Sequence, residues 1–231
     1  MPFCSFFTYR PDNNVTSYVF GNFITKPMAK LILFNKPFKV MSQFSESGDK
    51  TTLTNFISIP NIYPAGRLDY DSEGLLLLTD NGQLQHRIAH PKHKSTKTYW
   101  VQVEGEPKAE NLERLRKGIE LKDGLTLPAD ISIISEPPLW SRTPPIRERA
   151  SIPTTWLEIK INEGKNRQVR RMTAAIGHPT LRLVRMQIGD WSVENIVPGE
   201  YIEIEVEAPP VKKRTYQKRA NFDKMRPQNK R

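Results

Sequence analysis

Between positions 67 and 73 the chain crowds together an arginine, a serine and three carboxylates: Arg67, Asp69, Asp71, Ser72 and Glu73. Gly66 opens this stretch as a turn residue. Leu75, Leu76, Leu77 and Leu78 follow without a polar break and stop at Asp80-Asn81-Gly82. A short unbroken apolar run ended by Asn-Gly reads as a fully buried strand followed by a tight turn. The strand therefore anchors the charged loop that precedes it. A carboxylate fixed in this way, and partly shielded from water, has what a catalytic acid, base or nucleophile needs.

The residues alone allow three readings of the loop: a solvated turn whose Asp and Ser side chains satisfy nearby backbone groups, a calcium site, and catalysis by Asp69. Asp69, Asp71, Glu73, Gly74 and Asp80 fall on positions 1, 3, 5, 6 and 12 of an EF-hand-like spacing. The last position, however, is Asp rather than the bidentate Glu, and a leucine run stands where a flanking helix belongs. What separates the other two readings is a resemblance. Gly66-Arg67-Leu68-Asp69, followed by Ser72-Glu73-Gly74 and the leucines, resembles the signature of the RNA pseudouridine synthases, in the branch that modifies ribosomal RNA uridines. Glu163-Gly164-Lys165-Asn166-Arg167-Gln168-Val169-Arg170-Arg171-Met172 is similar to a second signature of that family, as are Asn35-Lys36-Pro37 and the Lys97-Thr98-Tyr99 segment.

The resemblance implies roles. Asp69 is then the catalytic carboxylate. Arg170 is the arginine that pairs with it, with Arg171 as the alternative, and Tyr99 packs under the target base. The reaction implied is isomerisation of a specific uridine in 23S rRNA: the N-glycosidic bond breaks, the uracil rotates while trapped, and C5 bonds to C1′. The phosphodiester chain stays intact, so no cofactor is expected, and the sequence offers no convincing metal cluster. A carboxylate that attacks must be ionised, and burial opposes ionisation, so a nearby guanidinium has a clear purpose. Arg67 is expected to pair with Asp71 or a phosphate. Arg147, Arg149, Arg167, Arg171 and Arg185 are the remaining candidates for RNA contact. Two other classes would share some of these features: a non-catalytic ribosome-binding protein, and a hydrolase using Asp69 with Glu73 or Asp71 as its second carboxylate.

Several elements must position these residues. Leu31-Ile32-Leu33-Phe34 is a short apolar strand, residues 51–57 read as a short helix, and residues 84–89 as a helical turn or two ended by His90-Pro91. Residues 97–103, 131–134, 156–161, 181–188 and 201–206 have strand character. Residues 109–118 form a helix with Leu112 and Leu115 inward and Gly118 as its stop. Residues 137–153 carry five prolines with Trp140, Arg142, Arg147 and Arg149, which predicts a stiff, extended loop suited to backbone contact and base stacking. A second helix is expected from an Asn166 cap to Ile176, with Val169, Met172 and Ile176 inward and Arg167, Arg170 and Arg171 forming a basic ridge. Strands outnumber helices and many connections are too short for helical crossovers, so the fold class is α+β around a largely antiparallel sheet. The resemblance implies the pseudouridine synthase fold, with flanking helices and a central cleft.

The chain has 231 residues, 37% hydrophobic and 26% charged, as in ordinary globular proteins. No apolar stretch approaches the roughly 20 residues that span a bilayer, and a single cysteine, Cys4, rules out an intramolecular disulfide. The expectation is a cytoplasmic monomer that meets 23S rRNA or a large-subunit assembly intermediate and no membrane. Three segments are expected: an irregular extension over 1–29, too short for an S4 RNA-binding module; a catalytic domain over 30–208; and a basic, disordered tail over 209–231.

The formal charge of +10 is unevenly spread: residues 209–231 hold nine Lys and Arg against one acid, Asp223, while residues 31–208 balance. Basic arms on a neutral body suit a polyanionic partner, because each neutralised phosphate releases counterions. Deleting residues 209–231 is therefore expected to weaken RNA binding most at low salt and to flatten the slope of log affinity against log salt, while catalysis survives. Filter binding across a salt series checks this, and an unchanged slope denies the tail its role.

Overall fold

The computed structural model describes residues 27–89, 95–146 and 151–210. The 1–26 part of the expected N-terminal extension and the 211–231 part of the expected tail lie outside them. Among the described residues nine strands form one sheet and a further pair forms a separate hairpin. Strand β1 (Met28–Lys36) lies between β11 (Tyr201–Glu207) and β3 (Glu73–Thr79), antiparallel to both. The short β2 (Tyr63–Pro64) also pairs with β3. On the far side, β9 (Thr180–Ile188) pairs antiparallel with β4 (Lys97–Glu104), then β8 (Thr154–Ile161) and β7 (Asp130–Ile134) follow in order, and β10 (Trp191–Ser192) folds back on β9. Three helices flank the sheet: α1 (Gly82–Ala89), α2 (Ala109–Lys117) and α3 (Gln168–Ala175). The α+β class and the antiparallel bias are as expected.

The leucine run explains how the centre is built. All seven residues of β3 are buried. Leu75 and Leu77 pack with Leu31, Leu33, Leu84 and Ile88 on one face, whereas Leu76 and Leu78 pack with Ile32, Phe34, Leu53 and Leu68 on the other. With apolar neighbours on both faces, alternation along the strand has no polar side to show. A third cluster joins Val101, Leu157 and Ile159 of the sheet to Leu112 and Leu115 of α2 and Val169, Met172 and Ile176 at α3, which fixes both helices on that face.

The two halves of the sheet meet where β3 runs parallel to β9, over Glu73↔Val184 and Gly74↔Arg185 alone. Gly74 has φ +99°, and a Cβ there would sit 2.3 Å from the carbonyl oxygen of Arg185. Only glycine lets the strands close to this distance.

Two local expectations change, and one element was not expected. The helix over 51–57 is a single 3-10 turn, Leu53–Asn55, because the segment bonds outward: Met41 N donates to Thr51 O and Leu53 N to Gln43 O. The cap of α3 is Arg167, in the left-handed conformation at φ 46°, and not Asn166. The Gln168 side chain accepts the Lys165 N–H at 2.9 Å, so the turn into this helix is held from inside the first turn. The hairpin of β5 (Glu120–Leu121) and β6 (Gly124–Leu125) had no signal beyond Lys122-Asp123-Gly124 in its turn.

Gly74→Ala is expected to destabilise the fold by about 2 kcal/mol or more, since left-handed strain and a backbone clash coincide. Urea denaturation checks the loss, and a variant as stable as the parent would show that β9 moves away at little cost.

Candidate active site

Asp69 stands at the head of the loop that enters β3, and the loop is held from two sides. Lys36, buried at the end of β1, donates through Nζ to Pro37 O at 2.8 Å and Val40 O at 2.9 Å, which shapes the turn after Asn35-Lys36-Pro37. Burial pushes this ammonium down to about 7, and the Glu73 carboxylate opposes that fall. The shaped turn presents buried Ser42, whose hydroxyl donates to Leu68 O at 2.8 Å and accepts the Leu68 N–H at 3.1 Å. Lys39 N bonds to Tyr70 O, and Ser72 N closes the loop onto Asp69 O. The residue before Asp69 and the residue after it are thus both fixed.

Charge holds the other side. Arg167 forks onto Asp71, Nη1 to Oδ1 at 2.9 Å and Nη2 to Oδ2 at 2.7 Å, and its Nη1 lies 3.7 Å from Asp69 Oδ2. Arg170, less exposed, donates from Nη2 to Asp71 O at 2.6 Å and brings Nε within 3.5 Å of Asp71 Oδ2. Burial pushes the Asp71 carboxyl up, but hydrogen bonds from Arg167 and the charges of Arg170 and Arg167 outweigh it and hold the group below its ordinary range. The pairing expected between Arg170 and Asp69 is therefore made with Asp71, and the guanidinium nearest Asp69 is that of Arg167. Arg67 does not pair with Asp71, whose carboxylate the fork already occupies.

Asp69, Arg67, Tyr99, Arg167 and Arg185 line one open cavity of about 650 Å³. Tyr99 reaches it from β4. A bulge between Thr98 and Tyr99 skips Met186, so that Tyr99 faces Arg185 across the strand pair. Such bulges commonly re-aim a side chain beside an active site. Sequence reasoning assigned nothing to Ser42, Lys97 and Lys165, which also line the cavity. Lys97 stands beside Tyr99 in a motif already singled out, and this was the available signal. Ser42 lay in a stretch without pattern. Burial lowers the Lys97 ammonium, and Arg185 lowers it further.

Other expected residues lie elsewhere. Arg171 turns away and forks onto Asp123 in the β5–β6 turn, Nη1 to Oδ1 at 2.5 Å and Nη2 to Oδ2 at 3.1 Å, so the ridge of three arginines divides between two partners. Arg185 is 4% exposed and bonds to Leu75 O through Nε at 2.8 Å, which makes it a floor of the cavity and not a surface contact for RNA backbone. Arg147 and Arg149 lie outside the described residues. Glu73, 1% exposed, is held by Arg182 (Nε to Oε2 3.0 Å, Nη2 to Oε1 2.9 Å) and by Trp140 Nε1 at 2.9 Å. This buried group ties the proline-rich loop to β3 and β9. With Asp71 and Glu73 both committed to arginines, the loop offers Asp69 no second carboxylate for hydrolysis. Among the described residues no three His, Cys, Asp or Glu side chains cluster to hold a metal, and no helix is long and apolar enough to cross a membrane.

The family model for RNA pseudouridylate synthase matches residues 30–175. The ribosomal large subunit pseudouridine synthase E of Vibrio vulnificus (strain CMCP6) is 59% identical over 175 residues, covering 76% of this chain and 75% of that protein. The protein of the same name from Xanthomonas axonopodis pv. citri (strain 306) is 57% identical over 171 residues, 73% of this chain and 90% of the relative. A solved structure described as a pseudouridylate synthase superposes with a TM-score of 0.62 at 32% identity, over 78% of this chain and 71% of that one. The chain belongs to the RNA pseudouridylate synthase family. It is an isomerase of that class, and the sheet with its cleft is the family's fold.

The Asp71 clamp has a defined pH signature. A carboxyl whose folded value is depressed adds stability that is present above its unfolded value and lost as pH falls through the folded one. The stability difference between the parent and Asp71→Asn is thus expected to be constant near neutrality and to shrink below the ordinary carboxylate range, toward pH 3. Because the pair is partly exposed, screening holds the difference to about 1 kcal/mol or less. Denaturation of both proteins between pH 7 and 3 measures it, and a difference that grows in acid contradicts the clamp.

Proposed function

We propose that the enzyme isomerises one uridine of large-subunit ribosomal RNA to pseudouridine, with Asp69 as the catalytic carboxylate and Tyr99 as the platform for the target base. The observation that carries this reading is that Asp69 and Tyr99 face the same open cavity, Asp69 held only loosely by an arginine whose main partner is its neighbour Asp71. A nucleotide must leave its stack to reach such a pocket, at a cost of a few kcal/mol that the pocket must offset. The names of the relatives from Vibrio vulnificus and Xanthomonas support large-subunit rRNA as the substrate.

Arg170 acts on this reading as a positioning residue, fixing the backbone at Asp71 and so the direction of the loop. Arg67, Arg167 and Lys165 at the cavity wall suit the phosphates that flank the extruded nucleotide. On this reading the enzyme acts as a monomer. Ribosomal RNA as substrate supports the cytoplasm as the place of action. The basic segment 209–231 adds sequence-independent affinity for RNA.

The test is a map of pseudouridine across 23S rRNA in cells with the parent protein, without it, and with Asp69→Asn. One position lost in both deficient strains is the expected result. In single-turnover assay Asp69→Asn should form no product while its RNA affinity stays within about twofold of the parent. A full set of pseudouridines in the strain lacking the protein would overturn the substrate, and activity in Asp69→Asn would overturn the catalytic assignment.

A further inference from the structure

Arg185 is the most deeply buried cation of the cavity, and no carboxylate among the described residues pairs with it. Its two acceptors are main-chain carbonyls, Leu75 O at 2.8 Å and Arg67 O at 3.4 Å. Its Nη2 is buried and meets no hydrogen-bond partner. Leaving a charged donor desolvated and unpaired is costly, and a buried one calls for an explanation. The cost was not avoided by letting the side chain swing out: the parallel junction at Gly74 fixes the backbone of Arg185, and the bulge in β4 sets Tyr99 directly opposite. A built site of this kind asks for an acceptor carried in by a ligand. Depth says which one. A backbone phosphate stays at the rim with Arg67 and Lys165, whereas a flat ring lying on Tyr99 reaches the floor.

We propose, resting on the functional reading above, that Arg185 is a further catalytic residue: its Nη2 donates to a carbonyl oxygen of the target uracil and stabilises the negative charge the ring carries after leaving the ribose. When the C1′–N1 bond breaks, the electron pair departs on N1 and spreads onto O2 and O4. The ring then bonds to C1′ through C5, C5 gives up its proton and N1 gains one, so the RNA neither gains nor loses atoms. A preorganised buried cation, aimed at oxygens whose charge rises during the reaction, is the usual arrangement for lowering such a barrier. It also gives the detached ring a reason to stay in the pocket while it turns.

The test perturbs both ends of the proposed hydrogen bond. Full-length parent, Arg185→Lys and Arg185→Met are assayed in single turnover on a 23S rRNA fragment carrying uridine, 2-thiouridine or 4-thiouridine at the modified position. Sulfur accepts hydrogen bonds poorly but eases departure of the ring, so a slower reaction reports lost recognition. Arg185→Met should lose about 100-fold or more in rate, the scale seen on removing one oxyanion donor, while RNA affinity stays within about twofold. One thio substitution should slow the parent and should not slow the Met variant, in which only the easier departure of the ring remains. Equal thio-to-oxygen rate ratios in parent and variants would overturn the inference. Should the variants fail to fold, the parent alone decides, because indifference to both thio substitutions also overturns it. Absence of product from the parent on the uridine fragment would overturn the functional reading and this inference with it, whereas product with unchanged ratios overturns the inference only.

Discussion

The site depends on a backbone contact. Strands β3 and β9 run side by side for two residue pairs, at Gly74 and Arg185, and an added methyl group at Gly74 would strike the Arg185 carbonyl. This junction joins the Asp69 loop, which ends at β3, to the strand pair that holds Tyr99 and Arg185. The Asp69 loop and Tyr99 therefore come from different halves of the sheet and are registered to each other by a single short seam. Buried Glu73 reinforces the seam, because its partner Arg182 is on β9 and its other donor, Trp140, is on the proline-rich loop. Removing one member of such a buried pair leaves the other charge uncompensated, which is why the group rigidifies the place where it sits.

Positive charge converges on this seam, and almost all of it is already engaged. Arg167 and Arg170 hold Asp71, Arg182 holds Glu73, and Lys36 is spent on two carbonyls that set up the Ser42 clamp. These contacts shape the loop before any RNA arrives. What remains for a ligand is the exposed rim and the unpartnered edge of Arg185, so the cavity separates the groups that build it from the groups that greet a substrate.

How much was legible in the sequence follows from the range of each interaction. The leucine run was legible because burial on both faces leaves a local pattern, and Leu112, Leu115, Val169 and Met172 were legible because helical spacing does. Asp69, Tyr99 and Arg167 were found through ordered motifs, and they share the cavity. Arg185 was read as an RNA contact because composition counts basic residues without saying which are inside; its burial is set by Leu75, 110 positions away. Arg171 was grouped with Arg167 and Arg170, yet successive helical residues diverge by about 100°, and Arg167 lies in the left-handed cap and not on the helix proper. The Tyr99–Arg185 pairing was out of reach, since the bulge that creates it appears only once β4 and β9 are paired.

Asp71 gives the loop an unusual form of restraint. It is two residues from Asp69, and it engages the guanidinium groups of Arg167 and Arg170, by its side chain in the first case and mainly by its main chain in the second. Under the proposed role of Asp69, a cation drawn fully onto it would block the oxygen atoms that meet the ribose. On that reading Asp71 works as an internal decoy that protects the proposed catalytic carboxylate from its own neighbours, and an enzyme stripped of the decoy would suffer self-inhibition of a kind that added salt relieves.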